Sequence, residues 1–263
     1  SLPQGVGRYP EAMDFTKDIR YHDSIADEYD EVVLAPREAA TQRLFAPALR
    51  RLAKHAPFGQ MLDLGCGTGH MIRRAGPLAA QVTGVDHSPG MLASAQRMVQ
   101  AQGMRHVRFE QADLEAFLAT HPDYADLVTA VGVLHHLGED GIDRVLAAIH
   151  RSLRPGGWVL LAEPVIEAGM AEPPAITRWN QASLAAERHH ATAEEDPDEA
   201  PLPPALLRAA ILRAGFAPVH EQRRWEVYNH SEQPGLVERL RIGWLQWRHR
   251  DTGFIYACLA RKA

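Results

Sequence analysis

Between Met61 and His70 the chain reads MLDLGCGTGH. Gly65, Gly67 and Gly69 alternate behind a short apolar run that carries a carboxylate, Asp63. Glycines so placed let backbone amides approach a ligand and supply left-handed turns that side chains resist. A phosphate-binding G-x-G-x-x-G pattern would put its third glycine at position 70, where His70 stands. Asp63 would also repel a pyrophosphate, yet it suits an ammonium or another cationic centre. A second carboxylate, Asp86, follows Gly69 by 17 residues at the end of another apolar run, a position suited to accepting from ribose hydroxyls. His135 and His136 stand behind a third such run. A histidine there can take a proton from a hydroxyl or ammonium, or one ring can simply shape a pocket. Cys66 lies within the glycine loop, but no partnered His or Asn motif accompanies it, and a small side chain is what such a loop requires.

These residues need rigid elements behind them. Met61–Leu64, Gln81–Asp86, His106–Asp113, Ala125–Leu134 and Trp158–Pro164 read as strands, the fourth nearly continuous in apolar residues, as a strand covered on both faces should be. Helical spacing fills the intervals: Gly67–Arg74, Ser88–Gly103 with Ser88 as N-cap and Pro89 at the first helical position, and Ile142–Leu153. Arg37–Leu52 is a further helix ahead of the first strand. Strands alternating with helices imply a parallel α/β sheet with right-handed crossovers. After Pro164 the pattern breaks. Residues 165–204 are too long for an ordinary connection and carry the acidic run AEEDPDEAPLPP, which reads as a lid or a solvated loop. Pro204–Arg213 is a short helix, and residues 229–250 form a second helical insert before the last strand, GFIYACLARK. Trp179, Trp225, Tyr228, Trp244 and Trp247 sit in or beside the inserts. They can line an apolar pocket or pack lid helices, and the helical spacing of Trp244 and Trp247 favours packing. Arg239, Arg241, Arg248 and Arg250 make a basic stretch.

The whole chain, 263 residues with a net charge of −5, suits one well-buried domain and implies no broad basic surface for nucleic acid. No apolar run approaches the ~18 residues of a membrane span. The N-terminal stretch has no basic-then-apolar signal pattern, and the two cysteines are isolated, so a cytoplasmic setting is expected. No ligand spacing suggests a metal site.

A ribose and a cationic amino-acid tail without phosphate describe S-adenosylmethionine (SAM). In that light LDLGCGTGH, GVDHSPGML, QADLEAF, DLVTAVGVLHHL and LRPGGWVLLAEP, in this order over residues 60–164, resemble the successive motifs of class I SAM-dependent methyltransferases. The resemblance implies a Rossmann-like, doubly wound α/β sheet of seven strands, mostly parallel with an antiparallel C-terminal strand, plus helical lid inserts. It implies one methyltransferase domain over residues 1–263, with an N-terminal arm (1–36) and substrate-side inserts (165–204 and 229–250). Gly65 and Gly67 would abut the methionine part of SAM, with Asp63 near its ammonium. Asp86 would hold the ribose, and His87 would lie against the adenine. Asp113 would accept from the adenine amino group and the Leu114 amide would serve a ring nitrogen, the alternative for Asp113 being a helix N-cap. Val131 and Gly132 would pass the methionine moiety, and Tyr21 and Tyr29 would close over the cofactor. The function implied is methyl transfer from SAM to an O, N or C atom of a small molecule, leaving S-adenosylhomocysteine (SAH). The partner would be a small-molecule acceptor, with no nucleic acid and no membrane. Two other readings stay open: a cyclase or decarboxylase that binds SAM on the same fold, and a non-catalytic SAM-binding regulator.

Overall fold

The structure is a computed structural model that describes residues 15–183, 201–250 and 252–263. Its frame is a seven-stranded sheet in the order β3-β2-β1-β4-β5-β7-β6. The strands are β1 (Phe58–Leu64), β2 (Ala79–Asp86), β3 (Val107–Gln111), β4 (Ala125–Val131), β5 (Leu153–Pro164), β6 (Phe216–Arg224) and β7 (Ile255–Lys262). The β1–β2, β2–β3, β1–β4 and β4–β5 pairs are parallel. β7 runs antiparallel between β5 and β6. This is the doubly wound sheet with an antiparallel last strand that the resemblance implied.

Side chains on a strand alternate between faces, so each apolar run must be covered twice. On one face Leu62, Leu64, Val128 and Leu161 pack with α5 (Leu114–Ala119), α6 (Glu139–Ser152) and α8 (Pro204–Arg213). On the other, Met61, Val82, Leu127 and Leu160 pack with α2 (Glu38–Leu52), α3 (His70–Ala75) and α4 (Pro89–Ala101). Asp63 and Thr129 share that second face, side by side on β1 and β4. Val165 and Leu202 form an isolated bridge across the first insert, which also holds α7 (Pro174–Gln181). A third cluster joins α2, α7 and α9 (Leu236–Arg248) through Ala39, Ile176, Trp225, Val227, Ile242 and Leu245. The acidic run expected over residues 194–199 lies outside the described residues.

Two sequence expectations need correction. The helix after β1 begins at His70 rather than Gly67, because Gly67 and Gly69 adopt φ of +51° and +88°, which no helix accommodates. Trp244 and Trp247, expected as packing residues, lie on the outer face of α9 and are more than half exposed.

The strand order reverses between β1 and β4, and the loops leaving those two strands face each other at the C-terminal edge. In open α/β sheets that crevice is where ligands bind.

Candidate cofactor and methyl-transfer site

The glycines of the β1–α3 loop divide by what a side chain would meet. A Cβ on Gly65 would stand 2.5 Å from Val133, and one on Gly69 would stand 2.4 Å from Met98; these two make room for protein. A Cβ on Gly67 would meet nothing within 4 Å, and one on Gly132 only the His135 ring at 3.8 Å. Gly67 ends the crevice on the β1 side and Gly132, with φ +70°, on the β4 side. They leave the backbone bare where the topology expects a ligand.

Asp86 braces this loop. One carboxylate oxygen accepts the Gly67 N–H at 2.8 Å and the other the Ser88 N–H at 2.9 Å. Ser88 in turn caps α4 by accepting from the Met91 amide, as its place before Pro89 suggested. Each Asp86 oxygen keeps a further lone pair.

Asp63 is buried beneath the loop and accepts from the Thr129 hydroxyl. Its second oxygen makes no hydrogen bond of ordinary geometry, although the Ile72 amide at the start of α3 favours its charge. Burial pushes the Asp63 carboxyl up to about 7 against the Thr129 hydrogen bond, and the charge of Asp86 adds to the rise. Cys66 is a buried thiol whose pKa is raised well above the ordinary range by burial, so it is not a nucleophile at neutral pH.

Beyond β4, His135 is buried and points Nδ1 at Glu163 on β5, 2.8 Å away. Glu163 also accepts the backbone N–H groups of Val133, Leu134 and His135 at 3.1, 3.0 and 3.3 Å, so one carboxylate fixes the whole turn. His136 is the more accessible of the two rings and turns toward helix α1 (Phe15–Ile25).

The described part of the N-terminal arm, from Phe15 on, is therefore a built element. α1 packs on α4, where Asp23 accepts from the Gly90 N–H at 2.9 Å and from the Ser88 hydroxyl. Just after it, Asp30 accepts from Thr68 of the glycine loop. Asp18 lies at the centre. Its carboxylate is 3.2 Å from His22 Nδ1, 3.3 Å from His87 Nε2 and 3.4 Å from His136 Nδ1. The His22 Nδ1–H itself donates to the Asp18 carbonyl at 3.0 Å. Tyr21 and Tyr29 pack their rings around His22, with centroids 5.2 and 6.2 Å away. Burial alone would raise the Asp18 carboxyl, but His22 and His87 outweigh it and hold the group far below its usual range. Burial would lower His22, and Asp18 overrides it upward; His87 is raised chiefly by its contact with Asp18.

The sign of these shifts sets how α1 is held. Raised histidines stabilise fully below their unfolded pKa near 6.5 and lose that contribution as pH rises through their folded values. The depressed Asp18 stabilises above its unfolded value and loses that as pH falls through the folded one. Docking of α1 is expected to be firmest between about pH 4 and 6.5 and looser in alkali. Hydrogen exchange of the 15–25 amides, corrected for intrinsic rates, should show less protection at about pH 9 than at about pH 6.5. Equal protection at both would remove the Asp18 cluster as the clasp.

Asp113 caps α5, accepting the Ala116 N–H at 2.9 Å, and Leu114 is the first residue of that helix. His87, Asp113 and Leu114 thus stand at the ends of β2 and β3, while Val131 ends β4. The structure brings every sequence-selected site residue to the C-terminal edge, to α1 above it or, for Tyr29, to the stretch just after α1. Sequence reading missed Asp18, His22, Thr129 and Glu163. Only the Asp18–His22 pair, one helical turn apart, left a local signal. Among the described residues, no group of three or more His, Cys, Asp or Glu side chains is arranged to hold a metal ion.

Residues 61–157, a little over a third of the chain, match the family described as a methyltransferase domain. Over that segment the chain is similar to a methyltransferase domain. A ubiquinone biosynthesis O-methyltransferase of Thiobacillus denitrificans is 33% identical over 116 residues, 43% of this chain and 49% of that protein. The chain spans about half the length, or less, of the curated relatives it matches. Among solved structures, DhpI in complex with SAH shares the fold with a TM-score of 0.58 at 21% identity, covering 94% of this chain and 96% of that one. The [4+2]-cyclase SpnF does so with 0.56 at 19%, covering 92% and 96%. The matched segment runs from the glycine loop through the histidines and ends just inside β5, so it contains both sides of the crevice.

The residues present fit SAM. The crevice has an opening that a Cβ at Gly67 would fill and a buried carboxylate with an unpaired oxygen, which suits a cationic centre and would repel a pyrophosphate.

Proposed function

We propose that this protein transfers the methyl group of SAM to an oxygen, nitrogen or carbon atom of a small molecule. The observation that carries this reading is the pair of bare glycines, Gly67 and Gly132, facing each other across the switch point with Asp86 locked to the Gly67 amide. Asp86 holds the ribose hydroxyls with its remaining lone pairs. Asp63 offers its unpaired charge to the ammonium, and the Gly65 and Gly67 backbone runs along the methionine portion. Asp113, with the oxygen its cap does not use, and the Leu114 amide read the adenine edge, which His87 flanks. Val131 and Gly132 border the opposite side. Bound SAM supplies an activated, positively charged methyl donor.

The protein's own contribution is alignment and dryness. Holding an acceptor in line with the donor can supply several kcal/mol. Helix α1, which carries Tyr21, together with Tyr29 just beyond it, covers the crevice and keeps water away. Where the acceptor carries a proton, His136 is the ring set to take it: Nδ1 turns toward Asp18, so the proton goes to Nε2. His135 is held by Glu163 and keeps the turn in shape. The relatives named O-methyltransferases lend weight to oxygen as the acceptor atom.

Two outcomes follow in the cofactor site. Gly67→Ala should fold at a cost of about 1 kcal/mol for its left-handed backbone, yet lose SAH affinity tenfold or more, because its methyl group enters the crevice. Gly65→Ala adds a clash with Val133 and should lower the melting temperature much further. Calorimetry and thermal melts of the two variants separate these effects; equal loss of binding at equal stability would contradict the division.

Asp63 makes binding pH-dependent. A carboxyl raised from 3.8 to about 7 stabilises the unliganded fold while protonated, and that contribution falls away as pH rises from about 4 to 7. A cationic ligand favours the ionised form, so SAH should bind tighter at pH 8 than at pH 6, by about tenfold at most, with release of a proton. Titration in two buffers of different ionisation enthalpy reads that proton directly, and no uptake or release at about pH 7 would disconnect Asp63 from the ligand.

Incubation with methyl-labelled SAM and a panel of small hydroxylated and amine acceptors tests transfer itself. Label on the product with matching SAH supports it. Product formed while SAM stays intact would favour the cyclase reading, and SAM bound but never used the regulatory one.

A further inference from the structure

Helix α9 presents its outer face to solvent in an ordered pattern. With 3.6 residues per turn, Leu236, Val237, Leu240, Trp244 and Trp247 fall within an arc of about 100°. All are more than half exposed. The opposite arc, Ile242, Leu245 and Gln246, is buried against α2 and α7. Arginines border the apolar stripe on both sides. Arg241 and Arg248 stand along one edge and Arg239 along the other, all exposed. Arg250, just past the helix end, lays its guanidinium 5.0 Å over the Trp247 ring. The one carboxylate of the helix, Glu238, faces inward and accepts from His230 and Ser231.

A solvated helix face does not carry two tryptophans and three aliphatic side chains in a row, since such a patch costs free energy in water. Two kinds of occupant are disfavoured by charge. A second copy of the chain docked about a two-fold axis would bring like-charged arginine rows together with no carboxylate between them. A nucleic acid would be offered arginines parted by an aliphatic strip rather than a continuous cationic track. An anionic lipid surface matches both features at once. The apolar stripe enters the acyl boundary, the tryptophans sit at headgroup depth, and the flanking guanidinium groups reach the phosphates.

We infer that α9 is a surface-lying membrane helix that docks this protein on anionic bilayers. At 13 residues it is too short to span one, and no helix among the described residues is long and apolar enough to do so. The expectation of no membrane partner rested on the missing span, which says nothing of a helix lying flat. α9 joins the end of β6 to the start of β7, and so lies at the same sheet edge as Gly67 and Gly132. Docking there sets the crevice beside the bilayer. The inference does not depend on methyl transfer, because lipid binding is read without cofactor.

The test is flotation of the full chain with phosphatidylcholine vesicles, with and without about 30 mol % phosphatidylglycerol at roughly 0.1 M salt. Flotation with the anionic vesicles only, with a blue shift of tryptophan emission, is expected. Arg241→Gln with Arg248→Gln should weaken binding about 30-fold, from roughly 1 kcal/mol per arginine. Leu240→Ser with Trp244→Ser should abolish it, while melts and SAH binding stay unchanged because these side chains are exposed. No flotation with anionic vesicles overturns the inference. So does equal flotation of both double variants, a dimer that the serine variant dissociates without any lipid binding, or binding of an RNA oligonucleotide in place of vesicles.

Discussion

Asp86→Ala is expected to lower SAH affinity by about 2–3 kcal/mol, roughly 30- to 150-fold. Two losses combine. The first is direct, since charge-assisted hydrogen bonds to ribose are among the stronger polar contacts. The second acts through the loop. The carboxylate accepts the half-buried Gly67 amide and the buried Ser88 amide, and without it both donors lose their partner. Gly67 is the residue that gives the crevice its opening, so a slack loop penalises the ligand again. The chain should still fold, with a lower melting temperature, because Asp86 ends β2 rather than filling the core. Asp86→Asn is not a gentle control. Its amide group turns two donors toward one of the two N–H groups, so it should lose nearly as much. Calorimetry on the folded variants decides the matter, and unchanged SAH affinity would show that Asp86 does not hold the ribose.

The largest effect on stability is expected at Glu163. Its carboxylate is almost fully buried and is the acceptor for three consecutive backbone amides and for the His135 ring. Glu163→Ala leaves four buried donors without a partner. Breaking buried charged networks of this kind costs about 3–5 kcal/mol, a large share of the ~5–15 kcal/mol by which a domain is stable. Glu163→Gln should fall between. Its single acceptor oxygen can serve Val133 and Leu134, while its amide group opposes the donors of His135. In a double-mutant cycle with His135→Ala, the coupling should exceed 1 kcal/mol. Denaturant midpoints measure both, and a wild-type midpoint for Glu163→Ala would mean that the turn is held by something else.

The sheet was legible because its strands are covered on both faces, which forces near-continuous apolar runs such as ADLVTAV at β4. Glycine and proline punctuation then fixed most helix ends, with Ser88 and Pro89 opening α4 as expected. The same glycines misplaced the start of α3, since a left-handed residue reads the same in sequence whether it precedes a helix or caps one. Asp63, Gly67 and Asp86 could be selected because they lie within one β-α-β unit, where spacing translates directly into geometry. Asp18 could not: its partners His87 and His136 come from loops far along the chain, and only the folded sheet edge gathers them. Glu163 was hidden for a similar reason, as its role is written in backbone amides that have no sequence signature. The exposure of Trp244 and Trp247 was missed because helical spacing gives a stripe without saying which of two stripes faces inward. On α9 both stripes are apolar, and Ile242 and Leu245 took the inner one.

We propose the crevice between the β1 and β4 loops as a SAM site. Its most direct test is a calorimetric titration of the purified chain with SAH at neutral pH, run beside an identical titration with NAD. One SAH bound per chain, competed by SAM, with no heat from NAD, is the expected result. A folded protein that takes up NAD and gives no heat with SAH would contradict the claim.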